Sequence, residues 1–527
     1  MRGQPSDPAA TAALPSRSGV GFGLLLGVFG GAWNAIVAFA CVPWYIHLLG
    51  IESYGLIGFF VTLQAVIGLL DLGVGATINR EVARSVALGD PDHARRLLRS
   101  LEIVYAVVAI AIAATIALAA PAIAGVWLKP GTLDHREVDG AVRLMGLVTA
   151  LRWPVGLYYG TLIGLHRPQI SYRIVAVMTT VANIGAVLVL SAVHRTIWAY
   201  FVWQAVSSLV GLAWVRRSAW RQLGDPAGTG FDRVLLKTVL IQSAMMSGVA
   251  MTGVVLTQVD KFVVSASIPL ADFGSYSLAA VLAGGLSVLL IPTFNVIYPR
   301  LSGLVAADRA AEQIAFYRLG TRLFLGCLFP VALSAFFYSG DFLALWTGNA
   351  GLAAATAPIA GLLCLGSALN GVMIFPYALH LARGETRRLL MIGCVLVAVM
   401  IPLTLALVRE YGALGGALSW LSLNAINLVL LVAVTHVYIL PGVQKQWLLL
   451  DVAPALGVAA LLVGAGHRVA AGTGSGPVER LAIGGLFAVA AMLVAIASHH
   501  DTRVLAGDAW QAARARLRSV QRRCAAR

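Results

Sequence analysis

Four ionisable side chains stand in apolar surroundings. Arg152 interrupts an apolar run in Leu151-Arg-Trp-Pro154, Asp71 does so in Leu70-Asp-Leu-Gly73, and Asp260 and Lys261 do so in Gln258-Val-Asp-Lys-Phe262. A charge held in hydrocarbon costs several kcal/mol, so such a group faces the protein interior or a water-filled cavity. Arginine keeps its proton and presents a planar fork of donors that suits phosphate. Arg152 therefore reads as a phosphate-binding cation, or else as half of a structural pair with a carboxylate on another helix. Pro154 is expected to bend the helix beside it. A buried carboxylate can carry a coupling proton or, with others, bind sodium. That makes Asp260 and Asp71 ion-coupling candidates, with a lock between helices as the competing reading. Neighbours on a helix point about 100° apart, so Asp260 and Lys261 are expected to find partners other than each other.

Neutral polar residues share the same runs. Asn34, Asn183, Gln242, Gln258, Asn295, Asn370, Asn424 and Asn427 are expected to bridge helices, with a minority lining a cavity. Catalytic patterns are missing: there is no GxGxxG, Walker A, HExxH or GxSxG. His499-His500-Asp501 lacks helical ligand spacing, and the five cysteines show no CxxC spacing. No metal site or cofactor is expected, and without an ATP-binding loop the chain is not expected to drive transport by its own hydrolysis.

The elements that position these groups follow from composition. Of 527 residues, 59% are hydrophobic and 12% charged, half the charged share of an average soluble protein. Mean hydropathy is +0.84. A membrane helix needs roughly 20 apolar residues, and fourteen such runs follow one another: 20–43, 54–79, 101–124, 141–164, 174–193, 196–215, 238–266, 273–298, 319–341, 353–380, 389–408, 414–436, 448–466 and 481–498. Continuous apolar runs without period-2 alternation exclude a barrel. The fold class is all-α and integral to the membrane. The first run is longer than a signal h-region and reads as a span. With the N-terminus placed in the cytoplasm, 29 Lys and Arg fall on that side, 6 on the other, and 3 within or at the edge of spans. This positive-inside bias puts both termini in the cytoplasm, and it explains the net charge of +15 without nucleic acid. Residues 501–527 space apolar side chains among arginines as a basic surface helix would. The tryptophans read as an interfacial belt.

An internal echo divides the chain. Gly50-Ile-Glu-Ser-Tyr-Gly55 resembles Leu270-Ala-Asp-Phe-Gly-Ser-Tyr276, and Tyr159-Gly-Thr-Leu-Ile-Gly-Leu-His-Arg167 resembles Pro376-Tyr-Ala-Leu-His-Leu-Ala-Arg-Gly384, at offsets near 220. Six helices separate the copies, so the halves share one orientation, with a central site expected between them. The implied organisation is a cytoplasmic segment (1–19), a first six-helix lobe (20–215), a cytoplasmic linker (216–237), a second six-helix lobe (238–436), helices 13 and 14 (448–498) and a basic cytoplasmic tail (499–527). The lobes form a parallel pseudo-twofold repeat, and Pro292, Pro330, Pro376 and Pro402 are expected to bend their helices.

Leu49-Gly-Ile-Glu-Ser-Tyr-Gly55, Leu70-Asp-Leu-Gly-Val-Gly75 and Asn79-Arg-Glu-Val-Ala83 resemble the N-terminal signature of the polysaccharide biosynthesis flippases, the O-antigen-type transporters of the multidrug/oligosaccharidyl-lipid/polysaccharide exporter superfamily. Val259-Asp-Lys261, Ala271-Asp-Phe-Gly-Ser-Tyr-Ser-Leu-Ala279 and Tyr298-Pro-Arg-Leu-Ser302 are similar to that family's second-half signature, and Leu162-Ile-Gly-Leu-His-Arg167 to its fourth-span exit. The resemblance implies a V-shaped pair of lobes, alternating access, and export of an undecaprenyl-pyrophosphate-linked oligosaccharide across a bacterial inner membrane for surface polysaccharide assembly. Membrane lipids and a polysaccharide polymerase are the further partners it implies. Arg152, Lys261 and Asn34 become the substrate-binding candidates, with Asp260 and Asp71 for ion coupling. In span 1 the family's lipid II flippases carry charges, whereas this chain has Asn34. A cation-coupled drug antiporter of the same fold and a membrane glycosyltransferase or polymerase are the alternatives. The last would need an acidic motif or a long periplasmic loop, and neither is found.

Overall fold

The computed structural model describes residues 17–71, 73–224, 230–246 and 248–498. The basic tail, His499-His500-Asp501 and nearly all of the N-terminal segment lie outside the described residues. Among those described there are helices and turns and no strand, as an all-α membrane protein requires. Ten helices are long and apolar enough to cross a membrane by length and composition.

Two of these are too long to be straight. Helix α1 (Arg17–Gly68) has 52 residues, about 78 Å at 1.5 Å per residue, against a hydrocarbon core of ~30 Å. It breaks at Gly50, whose φ of 82° favours glycine. Phe39 and Tyr45 before the break and Phe60 and Gln64 after it line one cavity, so the chain doubles back. Helices α2 to α15 follow: Val74–Leu88, Pro91–Ala122, His135–Arg152, Val155–Gly164, Pro168–Ala192, Ile197–Leu223, Arg233–Met246, Gly248–Ser267, Leu270–Gly284, Ser287–Ala306, Ala310–Phe337, Ser339–Thr347, Ala350–Val372 and Ile374–Ala382. Helix α16 (Thr386–Tyr438) reverses at Gly412, φ 57°. Thr404 and Ser419 lie on opposite sides of that turn and are 2.5 Å apart. The connection is therefore the glycine itself, where sequence reading expects a loop. Gln444–Gln446 (α17), Ala453–Gly472 (α18) and Pro477–Ala497 (α19) complete the chain.

Helices α1 to α7 pack mainly among themselves, and so do α9 to α16; α18 and α19 pack on α12 and α13. Asp451 clasps this addition. It sits fully buried in a π-helical segment, Trp447–Val452, and accepts from Arg318 Nε at 2.7 Å and from Arg322 Nε. Helix α8 departs from the expected lobe boundary. Its Leu236 and Val239 bury with α2, α3 and α7, and its Ser243 donates to Thr77 at 2.7 Å.

The main seam between the halves runs through the echoed motifs. A Cβ on Gly55 would lie 2.5 Å from the Leu270 carbonyl, and one on Gly274 would collide with the Ile51 carbonyl. The two glycines let the second arm of α1 and helix α10 cross at backbone contact. Beside this crossing, Leu270 N donates to Lys129 O at 3.0 Å, Lys129 Nζ to Ser267 O at 2.8 Å and Trp127 Nε1 to Ser265 Oγ at 3.1 Å. Glu52 is buried in the same corner and accepts from the backbone of Gly131 and Thr132.

Pro292, Pro330 and Pro402 lie inside continuous helices, and breaks fall at Trp153-Pro154, Gly285-Leu286, Met373 and the 3-10 turn Leu69–Asp71. The tryptophan belt is partial: Trp33, Trp44, Trp198 and Trp214 are exposed, but Trp220 and Trp447 are buried.

Candidate functional site

Arg152 ends α4 just before the Pro154 break. Its guanidinium points into a cavity of about 620 Å³, lined by Tyr45, Phe60, Gln64, Tyr159, Tyr200 and Gln204, among others. Nη2 donates to Gln204 Oε1 at 2.6 Å, Nε to Ser208 Oγ at 3.0 Å and Nη1 to Gln64 Oε1 at 3.3 Å. The ring of Phe60 lies 5.5 Å below the guanidinium carbon. Gln204 is itself fixed, with Nε2 donating to Ala182 O at 3.3 Å. All three acceptors are neutral, and among the described residues no carboxylate comes within ion-pair distance of Arg152. The alternative of a structural pair with a carboxylate is therefore not what the fold builds. Five N–H donors and a full positive charge face a cavity that supplies no counter-charge. Gln64 and Gln204, which orient the cation, are absent from the candidates read in the sequence.

A second cavity of about 480 Å³ lies across the start of α11. Val281, Gly284, Gly285 and Val288 line the first cavity, and Ser287, Leu290 and Ile291 line the second. Asn370 Nδ2 donates to Asn424 Oδ1 at 3.0 Å, and Asn424 Nδ2 to Trp420 O at 2.8 Å. Asn427, Thr257, Phe294, Tyr377 and Trp420 also face this space. Asn370 follows Arg152 by 218 positions, Asn424 follows Gln204 by 220, and Trp420 follows Tyr200 by 220. The offset is close to that of the sequence echo.

The other candidates are not brought together. Asp260 is 2% exposed; it accepts from Tyr276 Oη at 2.5 Å and pairs with Lys261 Nζ at 3.2 Å. The expectation that these neighbours ignore each other fails because the flexible lysine stem folds back to reach both Asp260 and the Thr257 carbonyl, the latter at 2.8 Å. Lys261 also lies 5.7 Å from the ring of Trp420. Neither residue lines the two cavities. Asp71 stands in a 3-10 turn that interrupts the expected second span. It lines a separate space of about 390 Å³ with Arg80, Ala250 and Met251, and it accepts from Tyr105 Oη. Asn34 does not line the first cavity: its neighbours Ala35, Ala38 and Phe39 do, and its Oδ1 is buried without a hydrogen-bond partner. Arg143 pairs with Asp139 at 2.8 Å and stays half exposed, away from the site.

Broken apolar helices around polar cavities suit a membrane transport protein. The comparisons place it among such proteins. The chain belongs to the family of polysaccharide biosynthesis proteins, which matches residues 23–305. It is 23% identical, over 75% of its length and 92% of the relative's, to the Shigella flexneri protein described as "Putative O-antigen transporter". Its fold is similar to that of the lipid II flippase MurJ in an inward closed conformation (TM-score 0.64, 12% identity, 89% of this chain and 97% of that one). It is also similar to an inward-facing multidrug-resistance transporter of the MATE family and MOP superfamily (TM-score 0.61, 14% identity, 76% and 92%).

Proposed function

We propose that this protein is a flippase of the bacterial inner membrane that carries an undecaprenyl-pyrophosphate-linked oligosaccharide to the outer leaflet by ion-coupled alternating access. The observation that carries the reading is Arg152, a cation turned into a cavity and held by neutral groups alone. Leaving a buried charge without a partner is costly. A diphosphate would supply the missing negative charge and bond the donors that Gln64, Gln204 and Ser208 do not saturate. The glycan would share the cavities between the halves while the polyprenyl chain stays in lipid, and a neighbouring polymerase would receive the product. The distribution of Lys and Arg supports a topology with both termini in the cytoplasm.

Ion coupling is assigned to Asp71, which lines a cavity between the halves and for which no cation lies within ion-pair distance among the described residues. Asp260, already paired, serves as a structural anchor in this reading. The MATE likeness in fold suits the alternative of a cation-exporting antiporter. An organic cation, however, would meet Arg152 in the larger cavity, whose lining holds no carboxylate. The deciding experiment is complementation of a deletion strain with Arg152→Ala and Arg152→Lys. Surface glycan should vanish with alanine at normal protein level and return in part with lysine, while lipid-linked intermediates accumulate inside. Full export by the alanine variant would remove Arg152 from the site and the reading with it.

A further inference from the structure

The second cavity differs in kind from the first. Its lining carries no charged side chain. Asn427 faces it with a carboxamide for which no hydrogen bond is found among the described residues, and the oxygen of Asn370 stays open because its nitrogen does the donating to Asn424. A carboxamide offers donors and acceptors together, which matches a hydroxyl, itself both donor and acceptor. Phe294 and Tyr377 stand with ring centroids 6.0 Å apart, and Trp420 adds an indole to the same wall. Ring faces carry partial negative charge and take the weakly positive C–H face of a saturated ring. Neutral two-way hydrogen bonding beside flat apolar rings is chemistry for an uncharged polyol.

The position fits as well. Ser287 and Val288 are adjacent in sequence yet line different cavities, so only the start of α11 separates them. At that point the chain has Gly284 and Gly285, and a Cβ added to Gly284 would meet nothing within 4 Å. The two cavities therefore lie on either side of a glycine break in the chain.

We infer that the second cavity is a glycan subsite, in which Asn427, Asn370 and the Phe294, Tyr377 and Trp420 rings receive neutral sugar units of the molecule whose diphosphate is held at Arg152. The inference rests on the diphosphate reading above and is tested separately from it. The full-length protein in lipid nanodiscs is titrated with two probes: undecaprenyl diphosphate, and undecaprenyl diphosphate carrying a neutral disaccharide. The wild type should bind the glycosylated probe about tenfold more tightly, the scale of one or two neutral hydrogen bonds with ring contact. Asn427→Ala should remove most of that ratio and leave the sugar-free affinity unchanged. Tyr377→Ala, which removes a ring from the wall of the second cavity alone, should do the same. Arg152→Ala should weaken both probes and preserve the ratio. A ratio unchanged in both the Asn427 and Tyr377 variants, or equal affinities in the wild type, overturns the subsite, and the diphosphate reading then still stands if Arg152→Ala weakens both probes. If Arg152→Ala weakens neither probe while Asn427→Ala erases the ratio, the diphosphate site falls and the glycan subsite holds.

Discussion

In one half of the molecule an arginine, and in the other an asparagine, reaches from a broken helix to an amide four residues beyond an aromatic ring. Arg152 donates to Gln204, which follows Tyr200; Asn370 donates to Asn424, which follows Trp420. The two pairs differ in charge. One pair leaves a net positive charge facing 620 Å³ of space, while the other leaves a neutral wall around 480 Å³. On the proposed reading, the two cavities would therefore take different parts of one ligand, the charged head at Arg152 and the uncharged remainder beside Asn370 and Asn424.

The halves also differ in mass, and removing that difference should have the largest effect. Asp451 is wholly buried between Arg318 and Arg322, so Asp451→Asn should cost about 3–5 kcal/mol, read as a fall in melting temperature in detergent and loss of protease protection of α18 and α19. Next comes Arg152→Ala, which should lower affinity for a sugar-free lipid diphosphate about a hundredfold, within the 2–5 kcal/mol that losing one partner of a buried charged pair costs. An affinity within twofold of wild type would mean that the two cavities do not divide the work by charge. Gly274→Ala attacks the seam that relates the halves. The added methyl meets the Ile51 carbonyl and should cost about 1–3 kcal/mol as overpacking, visible in thermal unfolding; the same change at Gly284, where space is open, should leave stability unaltered. The smallest effect is expected from Asn370→Ala, about 1 kcal/mol for one neutral hydrogen bond, with sugar-free binding untouched.

Much of this is legible in the sequence. Hydropathy is a one-dimensional signal, and it identifies membrane helices without knowledge of packing. Arg152 was legible because a lone guanidinium in an apolar run is too costly to be incidental. Gln64 and Gln204 were not, since an amide can be satisfied by a backbone carbonyl, as Gln204 is by Ala182, and its presence says nothing about where it points. Asn34 fails by one step of helical rotation: Ala35 and Ala38 face the cavity and it does not. The pairing of Asp260 with Lys261 was missed because the angle between adjacent Cβ atoms ignores the reach of four methylenes. The turns at Gly50 and Gly412 were placed in the right neighbourhood, but hydropathy does not reveal that a single left-handed residue is enough to reverse a helix.

The seam beside Gly55 and Gly274 sets an energy scale for conformational switching. Three hydrogen bonds cross it, from Leu270 N, Lys129 Nζ and Trp127 Nε1, and each is worth about 1 kcal/mol net. Parting the halves at this end therefore forfeits about 3 kcal/mol of hydrogen bonding, together with apolar contact. On the proposed transport reading, an open state must recover that sum through contacts of its own or through a bound cargo or ion that favours it.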